Sequence, residues 1–334
     1  MIRKLMSVLL LLVLCITMTA CSFKKNDASD DIAVEDTEHD DFSQTDETEK
    51  ESVITPLLYK VTNDTGNTVW LFGSIHIGEE YFYPLPEYVL NAFEDADALA
   101  VEFDIVAFSK DLIGQTQALS KLVYTDGTTI EDHISPELYA QAVEIFKENS
   151  FYLKTYDHYM PIFWSSNIDN ALYAKYGADS KYGVDQHMIK LAYKEDKEVL
   201  DVESAELQYN MLAGFSDGLQ ELMLENSVEM FYAEEAYEEI QLLINSWAEG
   251  DAEGVEQISN AVPESLTEEE LLLYEEYTNK LICERNLSMT DYAEQALISG
   301  NEIFICVGAA HIVGEGAMAE LLAERGYTVE MIKQ

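Results

Sequence analysis

Two histidines far apart in the chain stand in the same local setting. Thr68 to Gly78 reads TVWLFGSIHIG and Ile303 to Gly314 reads IFICVGAAHIVG, so each apolar, β-branched run stops at a Gly-x-x-His step, Gly73-Ser74-Ile75-His76 and Gly308-Ala309-Ala310-His311. A third group, Glu102, lies at the end of the apolar stretch Ala98 to Phe103, where a carboxylate is expensive to bury unless it is paired or coordinated. Two imidazoles and a carboxylate around one divalent metal leave open positions for a water and a polarised carbonyl, which is the chemistry of amide or ester hydrolysis. The same three groups can work without metal, an imidazole acting as general base while the carboxylate orients it. Thiolate-free ligation of this kind suits Mn²⁺, Co²⁺ or Zn²⁺. No His-Glu-x-x-His sequence occurs, so the zinc-peptidase helix that carries it is excluded.

These residues meet only if three strand ends meet. Continuous apolar runs bounded by Gly predict strands buried on both faces of a helix-covered sheet, and such sheets collect ligands beyond the carboxyl ends of their strands. The motif glycines are expected to let the chain turn and to leave room beside each imidazole. Leu57 to Val61 and Thr68 to Ile75 flank Asn63-Asp64-Thr65-Gly66-Asn67, which predicts a hairpin. Pro86 to Ala96 reads as a short helix, and Glu198 to Val202 as a strand followed by another acid, Glu203.

Between Val106 and Gly300 the period is mostly helical. Pro136 to Glu148 has Ser135 as its N-cap and Pro136 at the first position. The aromatics of Phe151 to Tyr182 read as packing surface, with His133 and His158 structural. Gly183-Val184-Asp185-Gln186-His187 opens a helix with Asp185 placed to cap it. Leu219 to Trp247 and Thr267 to Leu297 read as long amphipathic helices, and helix Gly316 to Arg325 leads to a last strand, Tyr327 to Ile332. The expected fold is α/β: a mixed, largely parallel sheet flanked by helices, in one domain over 53–334 with a helical insertion at about 106–300.

Gly214-Phe215-Ser216-Asp217-Gly218 matches the nucleophile-elbow pattern, and Asp291 and His311 follow in hydrolase order. The elbow needs a strand before it. Ala205 to Ala213 instead has a helical period, with Leu207, Met211 and Leu212 on one face, which places Ser216 in a helix or a helix connection.

The first residues read as an export signal: Arg3 and Lys4, the apolar run Leu5 to Ile16, then Met18-Thr19-Ala20-Cys21. That last stretch looks like a lipobox with Met18 in place of the usual Leu, and a lipid on Cys21 would anchor the protein to the outer side of the cytoplasmic membrane or a periplasm-facing surface. Ordinary signal cleavage, with Cys21 incidental, is the alternative. Residues 21–52 are rich in Asp and Glu and poor in large apolar groups, the composition of an extended tether. The chain carries a formal net charge of −45, which excludes nucleic acid as a partner, since that binding depends on Lys and Arg. It is compatible with cationic peptides or with simple solubility. Cys283 and Cys306 read as small apolar residues, and a disulfide between them stays open.

The duplicated Gly-x-x-His pattern resembles the TraB/GumN family, which includes the Tiki metalloproteases and is more distantly similar to erythromycin-esterase-like and ChaN-like proteins. The resemblance covers about Leu57 to Ile332. It implies an acid after the second core strand, a place matched by Glu102 or Asp104, with Glu102 favoured; the alternative for Glu102 is a salt bridge with Arg285 or a Lys. A similar Gly-hydrophobic-Asp element implies Asp185 facing the site, and His187 as a third imidazole or a solvent-facing one. Glu203 resembles the family's Glu at a strand end, implying a supporting or general-base role. Arg285-Asn286 matches a family pair. Arg285 would then bind a substrate carboxylate or stabilise an oxyanion, or else pair with Glu284 or Glu102. Trp247-Ala248-Glu249-Gly250-Asp251 resembles the family's Gly-Asp turn and is expected only to connect. The Tiki likeness implies Mn²⁺ or Co²⁺. Together these imply a lipid-anchored, extracytoplasmic, metal-dependent hydrolase acting on peptides. The alternatives are a peptide-sequestering protein like the pheromone-shutdown members, a metal-free His/Glu esterase, and haem binding as in ChaN-like proteins.

Overall fold

The computed structural model describes residues 54–260 and 266–333. The export signal at 1–20, the lipidation residue Cys21 and the tether at 21–52 lie outside the described residues. Strands β1 (Leu58–Thr62) and β2 (Thr68–Ser74) form the predicted hairpin, antiparallel from Leu58 opposite Phe72 to Thr62 opposite Thr68. Asn63 closes its turn, Oδ1 accepting from the N–H groups of Thr65 and Asn67 at 3.1 and 2.9 Å. Helix α1 (Glu87–Asp95) leads into β3 (Ala98–Val101).

The chain then leaves the sheet for α2 (Ile105–Phe108), α3 (Leu112–Ser120), α4 (Pro136–Glu148), α5 (Pro161–Lys175) and α6 (Val184–Lys194), and returns for β4 (Glu198–Asp201). A second excursion runs through α7 (Ala205–Ala213), α8 (Asp217–Tyr232), α9 (Ala236–Ala248), α10 (Ala252–Asn260), α11 (Glu268–Thr278) and α12 (Glu284–Ser299). Strand β5 (Ile303–Gly308), helix α13 (Met318–Glu324) and strand β6 (Thr328–Ile332) complete it.

The six strands lie in the order β4-β3-β5-β2-β1-β6. Strand β1 is antiparallel to both of its neighbours, while β2, β5, β3 and β4 pair in parallel. All six residues of β5 are buried because β3 and β2 flank it and helices cover it. That is why its sequence is apolar throughout rather than alternating, and each fully buried Ile, Val or Phe there contributes about 1.5–3 kcal/mol. Edge strands β4 and β6 are partly exposed and carry Glu198, Asp201 and Glu330.

The helical excursions match their sequence signals with three differences. Leu219 to Trp247 is two helices, α8 and α9, broken at Ala233 to Glu235. Thr267 to Leu297 is α11 and α12 joined by a π-helical turn, Asn279–Cys283. The extra residue of such a turn rotates the helix beyond it, and Arg285 and Asn286 both end up buried. Third, the inner face of α7 is Gln208, Tyr209 and Leu212, while Leu207 is exposed.

Ser135 caps α4 as read, its Oγ accepting from the Leu138 N–H at 3.2 Å. The aromatics after Phe151 are core: Trp164 is fully buried and stacks on Phe146 at 4.3 Å. Cys283 and Cys306 are unpaired thiols, one exposed and one buried. Among the described residues no helix is long and apolar enough to cross a membrane.

Candidate functional site

Parallel pairing brings the chemistry to one end of the sheet. Ser74 at the end of β2 lies opposite Gly308 at the end of β5, and Val101 at the end of β3 lies opposite Cys306 and Asp201. Just past those level ends come His76 after β2, Glu102 after β3, Glu203 after β4 and His311 after β5, the last on a single 3₁₀ turn, Ala309–His311. All four are buried, His311 completely. A small cleft open to solvent lies beside His76 and Glu102, lined by Ser74, His76, Glu102, Asp185, Gln208 and Cys306 with Val101, Phe103 and Ile105; Glu203 and His311 do not line it.

Arg285 is the hub of a charge network under this cleft. Its Nη2 donates to Glu102 Oε2 at 2.6 Å and to Glu203 Oε2 at 2.9 Å, and its Nε donates to Glu203 Oε1 at 2.9 Å. Gln208 Nε2 donates to Glu102 Oε2 at 3.1 Å and Glu203 Oε2 at 3.0 Å. The Gly308 N–H donates to Glu102 Oε1 at 3.0 Å, which gives the second motif glycine a direct part in the site. Burial by itself would raise the Glu102 pKa, but the Arg285 guanidinium, then His76, His311 and the Gly308 N–H, outweigh it and hold the carboxyl down to about 2. Burial disfavours the charged guanidinium too, and the two glutamates overcome that and keep Arg285 protonated.

Both imidazoles have an oriented Nδ1. Asn286 Nδ2 donates to the Gly316 carbonyl at 2.9 Å, which turns its Oδ1 toward His311 Nδ1 at 2.7 Å. The proton of His311 therefore sits on Nδ1, and Nε2 is left as a buried lone pair with no hydrogen-bond partner. Burial, then the Arg285 charge, pushes His311 down to about 3, so the ring is neutral. On the other motif, His76 Nδ1 lies 3.1 Å from Asp185 Oδ2 and its Nε2 lies 3.9 Å from Glu102 Oε1.

Asp185 is not the helix cap. Gly183 holds the cap position of α6 without any side-chain bond, and Asp185, in the first turn, reaches across to His76. The cause is close docking of α6 on the first motif: Val184 N–H donates to the Ile75 carbonyl at 2.9 Å, and a Cβ on Gly183 would sit 2.5 Å from the His76 carbonyl oxygen. His187 is outside the cleft lining and stacks on Tyr83 with ring centroids 3.9 Å apart. Burial, then Lys190, pushes its pKa down to about 4. Asp104, the other acid near the end of β3, caps α2 by accepting from the Ala107 N–H at 2.8 Å.

The space provided by Gly73 is for the opposite motif rather than for its own imidazole, since a Cβ there would lie 3.0 Å from the Ala309 Cβ. Trp247 does more than connect: its indole N–H donates to the Gly73 carbonyl at 2.8 Å and ties α9 to the first motif. Gln208 escaped the sequence reading. Its one local signal is a polar residue beside Tyr209 and Leu212 on the inner face of α7. The elbow pattern is a helix start: Ser216 caps α8 and donates to Glu276, and Asp291 pairs with Arg325 at 2.7 Å, so no triad with His311 forms.

A divalent ion can be weighed against this donor set. Three buried carboxylates, Glu102, Glu203 and Asp185, face one guanidinium, leaving a formal charge of −2 around the two rings. The orphaned His311 Nε2 and the Nδ1 anchoring of both rings are the arrangement of metal-binding histidines, whose second nitrogen is held by an oxygen. Among the described residues, however, no three His, Cys, Asp or Glu side chains are drawn together as finished ligands. The 3.9 Å between His76 Nε2 and Glu102 Oε1 exceeds the roughly 3.4 Å spanned by two ligands at tetrahedral bond lengths. The donors match such an ion in kind and charge, while His76 Nε2 and Glu102 Oε1 stand farther apart than two ligands of one ion.

The family model described as the TraB/PrgY/gumN family matches residues 57–331. The uncharacterized protein YbaP of Escherichia coli strain K12 and that of Shigella flexneri are each 27% identical to this chain over 257 residues, covering 75% of it and 86% of their own length. No solved structure matches the chain. With a family match over that span, the chain belongs to the TraB/PrgY/gumN family.

Proposed function

We propose that this protein is a peptide hydrolase whose centre is His76, His311 and Glu102, held at the membrane's outer side by a lipid on Cys21. One observation carries the reading: neighbouring parallel strand ends present two imidazoles with Nδ1 anchored, beside a carboxylate kept ionised. His76, Glu102 and His311 would hold a divalent ion, Mn²⁺ or Co²⁺ before Zn²⁺, which when bound supplies Lewis acidity and an acidified water. The chain's own groups prepare that centre. Asn286 fixes the His311 tautomer, and Asp185 does the same for His76. Arg285 keeps Glu102 an anion, Glu203 holds Arg285 in place, and Gln208 bridges the two glutamates. Phe103, Ile105 and Val101 form an apolar wall that strengthens every charge interaction in the cleft. Glu203 does not line the cleft, and Arg285 and Gln208 engage its oxygens from behind, a supporting position rather than that of a general base.

The test is hydrolysis of a peptide pool by purified protein, stripped with chelator and then supplied with Mn²⁺. The reading predicts cleavage that returns with the metal and disappears in His76→Ala. Cleavage indifferent to both would remove it, and peptides retained but uncut would point to sequestration. Export and anchoring have their own check, a lipid-bearing Cys21 at the mature N-terminus, lost in Cys21→Ser.

A further inference from the structure

The charged groups that line the cleft are carboxylates, beside the neutral polar groups of Ser74, Gln208 and Cys306 and the His76 ring. Its lining includes two carboxylates, Glu102 and Asp185, and no Lys or Arg. The cation behind it, Arg285, is 3% exposed and already donates to both glutamates, with Nη1 against the Leu281 carbonyl at 3.4 Å. Gln208 spends its amide N–H groups on the same two glutamates, so what it has left is a carbonyl oxygen. Asp185 Oδ1 has no hydrogen-bond partner although the residue is only 8% exposed. An orphaned buried carboxylate oxygen raises the free energy until a donor reaches it. Beyond Phe103 the acids continue with Asp104 and Asp201, joined by the Asp104 N–H donating to Asp201 Oδ1 at 2.8 Å. A divalent ion at the imidazoles would cancel the inner charge, yet it would add no N–H donor and leave these outer acids in place.

We infer that the cleft recognises the amine-bearing side of its substrate, a protonated amine close to the scissile amide, and rejects a free carboxylate there. The inference rests on the hydrolase reading and adds the polarity of the substrate. A terminal carboxylate needs a cation or several N–H donors; Arg285 and the Gln208 amide are both committed to the glutamates, which leaves the Ser74 hydroxyl as the protein's unpartnered donor in the lining. An ammonium meets the unpartnered Asp185 Oδ1, and the electronegative field of the surrounding acids draws it in.

The experiment uses the full chain and one random heptapeptide pool in three terminal forms: free ammonium with amidated C-terminus, acetylated with free carboxylate, and blocked at both ends. Cleavage with Mn²⁺ and retention on immobilised, chelated protein are both read by mass spectrometry. The ammonium form should be cut and retained at least about tenfold better than the carboxylate form, a gap that narrows as salt screens the cleft. Glu203→Gln, which loosens the hold on Arg285, and Asp185→Asn should each shrink the gap. Equal handling of the three forms, or a gap unchanged in both variants, overturns the inference. Preferential retention without cleavage upholds this polarity and removes the hydrolase reading. Cleavage without preference does the reverse, and neither cleavage nor retention in any form removes both.

Discussion

Arg285→Met removes the cation and keeps much of the side-chain volume. In the wild type, Nε and Nη2 make four hydrogen bonds to Glu102 and Glu203, between 2.6 and 3.1 Å. After the substitution two carboxylates, each under a tenth exposed, keep only Gln208 Nε2 and, for Glu102, the Gly308 N–H. Breaking a buried pair by deleting one partner costs about 3–5 kcal/mol, because an uncompensated charge stays buried. For a domain of this size that is a fall in Tm of roughly 6 to 20 °C. The pH dependence identifies the cause. In the wild type Glu102 is held low, so its contribution is present above the unfolded carboxylate range and is lost in acid. In the variant burial acts unopposed by the guanidinium, the folded carboxyls titrate higher than the unfolded ones, and the deficit exists only where they must be charged. Urea unfolding of the two proteins should therefore differ by several kcal/mol at pH 7, with the gap narrowing through the unfolded carboxylate range and closing only as pH approaches about 2, where wild-type Glu102 is itself protonated. A variant within 1 kcal/mol of wild type at pH 7, or a deficit independent of pH, would refute the claim that Arg285 neutralises a buried pair.

The other predictions concern the motifs. Gly73→Ala places a methyl against Ala309 and should cost about 1–3 kcal/mol in urea unfolding, with hydrolysis lowered because the shifted turn carries His311. Trp247→Phe keeps the ring packing but leaves the Gly73 carbonyl without its donor; thermal scans should show a loss of about 1–3 kcal/mol. In metal-free protein His311 stays neutral down to about 3, so between that pH and the ordinary histidine range the unfolded chain binds a proton that the folded chain does not. Stability should fall as pH drops below 6.5, by about 2 kcal/mol at pH 5 from this ring, and His311→Gln should flatten that slope. Asn286→Leu removes the acceptor that fixes the His311 tautomer; kcat of the Mn²⁺-loaded protein should fall by about tenfold or more, with the variant still folding.

Much of this arrangement is written locally. A β-branched run that ends at Gly-x-x-His carries its own statement of burial and termination, and an acid such as Glu102 or Glu203 at the end of such a run marks the same sheet edge. The hairpin turn at Asn63 and the Ser135 cap are equally local, since the side chain involved bonds within a few residues. What stayed hidden depends on how distant elements dock. Gln208 matters only because α7 lays its inner face over two strand ends. Asp185 has a capping residue's type and place, and it turns to His76 because Gly183 lets α6 sit directly on the first motif. Arg285 reads from sequence as a substrate clamp or an ion pair, and the π turn at Asn279–Cys283, which no periodicity announces, helps to bury it between two glutamates. The break between α8 and α9 has no Gly or Pro, only Ala233-Glu234-Glu235, and is set by packing.

The most direct measurement is anomalous diffraction at the manganese edge from crystals of the full chain grown with Mn²⁺. The account predicts one peak per chain beside the side chains of His76, Glu102 and His311, absent from crystals of a folded His311→Ala variant. An empty centre in Mn²⁺-saturated crystals, or a peak that survives the substitution, would contradict it.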